Sequence, residues 1–323
     1  MNERLGAVAG SHIGTHEADL AIAGDPGALE ACLAAFAGHG LALDSLLADA
    51  GPGGVALADA YRTRGFLKAR LDPLGLSEPP DVAELDPALY GLKTDAASRL
   101  ATALEAAYCG PIGWEICHVH DRECRLWLQA QAEDMGAHLP TDADRERILD
   151  ILIAASAFET GLSSRIPGGK LFGLGGAESF NVLLETLLAH SAAHGIASVV
   201  IGGMHRGRFN LLANICGKPL PTLVAEILGA PAVPSGLGVS SDVSYHLGYS
   251  GTRTIDGHAL KFTVLAHPSH LQIVPVMAQG QVRARQARRG ESGKRMVLPL
   301  LLHTDASFAG QGLVAEMFQL SRL

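Results

Sequence analysis

Ser198-Val199-Val200-Ile201-Gly202 runs almost directly into Met204-His205-Arg206-Gly207-Arg208, and the contrast between the two halves decides the fold. A short apolar run without polar alternation suits a strand buried on both faces, which points to a parallel sheet covered by helices. The pattern recurs twice. Lys261-Phe262-Thr263-Val264-Leu265 stops at Ala266-His267-Pro268-Ser269-His270, and Met296-Val297-Leu298-Pro299-Leu300-Leu301-Leu302 stops at His303-Thr304-Asp305. Helical spacing fills 179–190 and 210–215. The expectation is an α/β domain with a mostly parallel sheet. Ligands of open α/β sheets bind beyond the carboxyl ends of the strands, where these three polar loops would lie.

Upstream the texture differs. Apolar residues recur at helical spacing across 96–107 and 145–158, with Pro-bearing turns at Asp72-Pro73, Pro79-Pro80 and Asp86-Pro87. Before that, a helix is expected over 26–47 and a break at Gly51-Pro52-Gly53-Gly54. The expected organisation is a variable N-terminal segment 1–54, a mostly helical subdomain 55–165, and 166–323 as the first part of an α/β domain.

Composition excludes several classes. The 323 residues carry 25 basic and 33 acidic side chains, a net charge of −8, which disfavours a broad nucleic-acid surface. Hydrophobic residues make up 48% and charged residues only 18%, so a disordered chain is excluded. No apolar run reaches the roughly 18 residues of a membrane span, and the first twenty residues lack the pattern of a signal peptide. The expectation is a cytoplasmic protein with neither a nucleic-acid nor a membrane partner. Five cysteines without regular spacing read as reduced thiols. Cys117-His118-Val119-His120 with Cys124 offers zinc-type ligands but lacks paired C-x-x-C spacing.

Familiar signatures nearly match and fail. Pro167-Gly168-Gly169-Lys170 is followed by Leu171, so it lacks the hydroxyl of a phosphate loop. Gly173-Leu174-Gly175 lacks the third glycine of a dinucleotide fingerprint, and Gly248-Tyr249-Ser250-Gly251-Thr252 lacks the last glycine of a nucleophile elbow. No zinc-hydrolase helix motif is present. What remains is a concentration of proton carriers and anion binders at strand ends: His205, Arg206 and Arg208, His246 and Ser250, Ser269 and His270, His303 and Asp305. Each alone has a structural explanation; Asp305, for example, suits a helix N-cap.

Ordered motifs then connect the chain to a family. They are A-Y-R-T-R-G-F with L-D-P-L-G-L (60–76), A-Y-C-G-P-I-G-W-E-I-C-H (107–118), I-P-G-G-K-L-F-G-L-G-G-A-E-S (166–179) and V-V-I-G-G-M-H-R-G-R-F-N-L-L-A-N (199–214). S-S-D-V-S-Y-H-L-G-Y-S (240–250), H-P-S-H-L-Q-I-V (267–274), V-R-A-R (282–285) and L-P-L-L-L-H-T-D-A-S-F-A-G-Q-G (298–312) follow. From about Val55 onward the chain resembles the thiamine-diphosphate-dependent first component of 2-oxoglutarate dehydrogenase and its 2-oxoadipate relatives, as an N-terminal fragment. The resemblance implies decarboxylation of a 2-oxo acid in the tricarboxylic acid cycle, acyl transfer to a lipoyl-bearing acyltransferase component, thiamine diphosphate and Mg2+ as cofactors, and a homodimer.

Carried over residue by residue, the resemblance makes His205 and His246 catalytic and places Ser250 and Phe209 at the substrate. It gives Arg206, Ser269, His270 and Leu271 to the cofactor and Asp305 to the metal. Departures accompany it. Thr304 stands where the family has glycine, Gly175 and Gln272 where it usually has glutamate, and Phe209 where it usually has leucine. The asparagine that completes the metal motif and the pyrimidine-binding domain do not follow Asp305 in this sequence. The expectation is that the chain alone neither binds thiamine diphosphate tightly nor turns over, and self-associates through an open sheet edge. The alternative is a catalytically inactive remnant, or a binding subunit that keeps the fold without a complete cofactor site.

Overall fold

The computed structural model describes residues 43–72, 74–93, 95–134, 140–232, 236–237, 241–268 and 272–320. Most of the helix expected over 26–47 lies outside them. The chain divides into two compact units, Met1–Thr141 and Asp142–Leu323.

The described part of the first unit is helical: α1 (Leu43–Arg64), α2 (Asp95–Tyr108) and α3 (Arg122–Glu133). The breaker acts where it was expected. Gly51 takes φ 62° and ψ −155° inside α1, and Pro52 restarts the helix, at a position where a missing N–H costs nothing. Leu46 before the kink and Leu57, Ala58 and Tyr61 after it nevertheless pack into one core with Leu100, Leu104 and Tyr108 of α2. Residues 43–54 thus share the helical core. Glu133 Oε1 closes the unit, accepting from the Tyr108 hydroxyl at 2.7 Å and from Arg62 Nε at 2.8 Å.

The second unit begins with α4 (Asp142–Arg165) and α5 (Ser179–Ala193), then β1 (Ser198–Gly203), α6 (Leu220–Ile227), β2 (Tyr249–Ile255), β3 (His258–Val264), α7 (Ile273–Ala287), β4 (Val297–Leu302), α8 (Asp305–Gly310) and α9 (Gly312–Gln319). The expected helical stretch 210–215 is a short helix, Arg208–Asn210, running into a single π turn, Leu211–Ile215, in which the Cys216 amide reaches back to the Leu211 carbonyl. Among the described residues no helix is long and apolar enough to cross a membrane.

The four strands lie in the order β2-β3-β1-β4. β1 is central and runs parallel to β3 (Val199 opposite Phe262) and to β4 (Val199 opposite Leu298). The α/β class and the mostly parallel sheet are as expected. The sequence reading missed β2, which pairs antiparallel with β3 from Tyr249↔Val264 to Ile255↔His258. Asp256 and Gly257 join the two strands with φ of 46° and 82°, the two positive values of a type I′ hairpin turn.

β1 is buried throughout because both faces of the sheet are covered. Val199 and Ile201 point into a core with Phe262, Val264, Leu184 and Leu188. Val200 points the other way, onto Ala278 and Val282 of α7 and Val297 of β4. Gly202 lets α7 come that close, since a Cβ there would stand 2.7 Å from Ala278 Cβ and 2.8 Å from the Val274 carbonyl oxygen. Gly280, exposed on the same helix, has nothing within 4 Å of its would-be Cβ. The same substitution therefore has opposite signs at the two sites. Gly202→Ala is expected to lower unfolding stability by about 1–3 kcal/mol through overpacking. Gly280→Ala is expected to raise it by about 0.5–1 kcal/mol through helix propensity. Urea denaturation of both variants checks the pair.

Candidate functional site

The carboxyl ends of the parallel strands lie along one edge of the sheet. Beyond β1 come His205 and Arg206, beyond β3 His267, and beyond β4 His303, Thr304 and Asp305. β2 runs the other way, so its beginning falls at the same edge and brings along the helical turn Ser244–His246.

His205 sits beneath a clamped loop. Its ring lies 4.2 Å, centroid to centroid, from Phe172, which the sequence reading did not single out. Phe172 has a left-handed backbone, φ 45°, and its carbonyl accepts from the Gly207 amide at 2.6 Å. Gly207 has φ 68°, and the side chain of Leu174 occupies the space its Cβ would need, so the H-R-G-R turn requires glycine here. Glu159 of α4 fixes the same loop: the Leu174 amide donates to both of its carboxylate oxygens at 2.8 Å, and Asn210 Nδ2 donates to Oε1 at 2.9 Å. Asn210 is itself buried, and its Oδ1 accepts from Asn181 at 2.7 Å and Asn214 at 2.6 Å. His205 Nδ1 is buried with no hydrogen-bond partner among the described residues. Burial, then the neighbouring Arg206 cation, then His246, lower its pKa from the ordinary histidine value.

Aromatic rings continue from there. Phe172 meets Tyr245 edge-on at 5.0 Å, Tyr245 meets His246 at 4.9 Å, and His246 meets His267 at 5.7 Å. His246 Nδ1 donates to Asp242 Oδ2 at 3.0 Å, and His267 Nδ1 lies 3.3 Å from the same oxygen. The Val243 amide and then His246 hold the Asp242 carboxyl below its ordinary range. Asp242 is a second residue the sequence reading missed. Its position four residues before His246 was the available signal.

The other expected site residues are more dispersed. Arg206 is exposed, donates to the Gly173 carbonyl at 3.3 Å, and lines a cavity of about 470 Å³ with Glu159, Glu178 and Phe209. Phe209 is buried in the main core, with an edge on that cavity. Ser250 is exposed on β2, opposite Thr263 of β3. Asp305 is exposed in the first turn of α8, and Thr304 holds the N-cap position with an ordinary extended backbone, φ −92° and ψ 148°. Threonine is therefore accommodated there without backbone strain. Buried Gln272 accepts a hydrogen bond from His303 Nδ1, and burial lowers the His303 pKa. Ser269, His270 and Leu271 lie outside the described residues. Cys117, His118, His120 and Cys124 are exposed and form no ligand cluster among the described residues.

These residues fit a magnesium diphosphate in part. Arg206 offers an accessible cation for phosphate oxygens, and Asp305 offers one carboxylate for a hard ion. Among the described residues Asp305 belongs to no group of three or more His, Cys, Asp or Glu side chains that could share an ion.

His205 and His303 both have lowered values, so between those values and the ordinary one of about 6.5 the unfolded chain binds more protons than the folded chain. Folding stability is expected to fall as the pH drops through that window. In an NMR titration the His205 ring should change charge at lower pH than an exposed histidine. Arg206→Ala should raise its midpoint without fully restoring it, because burial is the larger cause.

No protein-family model matches the chain. In an alignment 297 positions long that covers 83% of the chain, it is 38% identical to the 2-oxoglutarate dehydrogenase E1 component of Brucella anthropi. The same figures hold for the E1 components of Brucella canis and Brucella abortus. In each case the chain spans 30% of the relative's length. Over most of its own length, the chain is a relative of a portion of the 2-oxoglutarate dehydrogenase E1 component.

Proposed function

We propose that the chain provides the substrate- and diphosphate-facing edge of a thiamine-diphosphate-dependent 2-oxo acid decarboxylase. The observation that carries this reading is the convergence of His205, Arg206 and His246 at one edge of the sheet, on a chain 38% identical to E1 components. Bound thiamine diphosphate would supply the electron sink for decarboxylation. Arg206 would hold the diphosphate, with Ser269, His270 and Leu271 lining the cofactor and Asp305 contributing an oxygen to Mg2+. His205, kept neutral by burial, suits a group that accepts or returns a proton at the reacting carbons near neutral pH. His246, oriented by Asp242, would hold the carboxylate or carbonyl of the 2-oxo acid, with Ser250 and Phe209 bounding the substrate. The acyl group would pass to a lipoyl-bearing acyltransferase component, and the working form would be a homodimer in the cytoplasm.

The Glu159 clamp supports these roles. Through Leu174 it fixes the loop whose Phe172 covers His205, restricting water at that ring. NMR titration of the histidine-labelled chain tests the reading and detects even weak binding. Adding 2-oxoglutarate should move the His205 and His246 ring signals. Thiamine diphosphate with Mg2+ should also move the His205 signals, and Arg206→Ala should weaken that response about tenfold or more, as expected for a lost charge-assisted contact. Unmoved histidine signals with both compounds would overturn it.

A further inference from the structure

Asp242, His246 and His267 bring three ligand atoms of two chemical types to within 4.8 Å of one another. We infer that they form a binding site for a divalent transition-metal ion of the zinc class. Asp242 Oδ2 stands 3.0 Å from His246 Nδ1 and 3.3 Å from His267 Nδ1. Metal–ligand bonds of 2.0–2.1 Å in a tetrahedron set neighbouring ligands about 3.3 Å apart, so both carboxylate–imidazole pairs already stand near that spacing, and the two imidazoles, within 4.8 Å of each other, would close on the ion. Two imidazoles and a carboxylate suit Zn2+, Co2+ or Ni2+, whereas Mg2+ and Ca2+ prefer oxygen donors throughout. The site is therefore distinct in kind from the magnesium position proposed at Asp305.

The ligands come from separate segments, and the backbone holds them together. Asp242 and His246 share one turn before β2, while His267 follows β3. The His267 amide donates to the His246 carbonyl at 2.8 Å, and His267 keeps a left-handed backbone, φ 60°. Asp242 and His267 are exposed, which gives an ion a way in, and three protein ligands leave a fourth position for water or an anion. The inference goes beyond the decarboxylase reading and does not depend on it.

The test is a titration of the metal-stripped full chain with Co2+, read by its d–d absorption, followed by competition. One Co2+ should bind per chain, be displaced by Zn2+ and resist excess Mg2+. His267→Asn, whose new side chain tolerates the left-handed backbone, and Asp242→Asn should each weaken binding by about tenfold or more with far-UV circular dichroism unchanged. If one variant fails to fold, the other carries the test. A double Cys117→Ser, Cys124→Ser variant should bind as the parent does. Absence of saturable Co2+ binding, undiminished binding in the folded Asn variants, or loss of binding in the double Ser variant would each overturn the inference.

Discussion

Arg208 is the interaction on which the geometry of the sheet edge depends. Its side chain, 2% exposed, donates from one guanidinium nitrogen to the Leu247 carbonyl at 2.6 Å and the Leu265 carbonyl at 2.7 Å. The first belongs to the approach to β2 and the second to the exit from β3. His246 immediately precedes the one and His267 lies two residues beyond the other. One cation arising just after β1 thereby sets the spacing of the loops that carry the histidines. Burial pulls its pKa down to about 10, which still leaves it charged at neutral pH. It makes no ion pair among the described residues. Removing it would leave two carbonyls short of a donor, at about 1–3 kcal/mol for each one buried. Its role is tertiary, although in sequence it is one more arginine in a polar loop.

That distinction separates what the sequence showed from what it hid. β1, buried at every position, and β4, an edge strand whose middle four residues are part-buried, both have continuous apolar runs and lie within a residue of where those runs suggested. β2 alternates intermediate and exposed positions from Tyr249 to Thr254 and buries only Ile255, so it has no such run. Its signal was the Asp256-Gly257 pair, a favoured composition for a type I′ hairpin turn, which continuous apolar runs do not reveal. The π turn at 211–215 was legible only as a helical period, because apolar spacing reports burial and not which carbonyl an amide reaches.

The same logic holds at the site. His205, Arg206 and His246 carry chemistry in their side chains, and strand ends place them on one edge. Glu159, Phe172 and Asp242 matter through partners. Glu159 acts on Leu174, fifteen residues away, and on Asn210, fifty-one away, and nothing local to α4 reveals either contact. Asp305 illustrates the converse: a suggestive residue at a strand end lies exposed in the first turn of a six-residue helix, where a carboxylate is also favoured by the helix N-terminus.

One edge of the sheet thus holds two electrostatic environments. At His205 the ring is covered by Phe172, its buried nitrogen lacks a described partner, and the Arg206 cation acts on it. All of these disfavour a second positive charge. At His246 and His267 the neighbour is the Asp242 carboxylate, which the Val243 amide and then His246 hold below its ordinary range, and its negative charge favours a metal cation. Phe172 and Tyr245 stand between His205 and His246 in the succession of ring contacts. The edge is thus polar along its length, with a histidine that disfavours protonation at one end and a carboxylate-bearing cluster at the other. The sheet fixes that polarity, because β1 delivers His205 while the β2–β3 side delivers the Asp242 cluster.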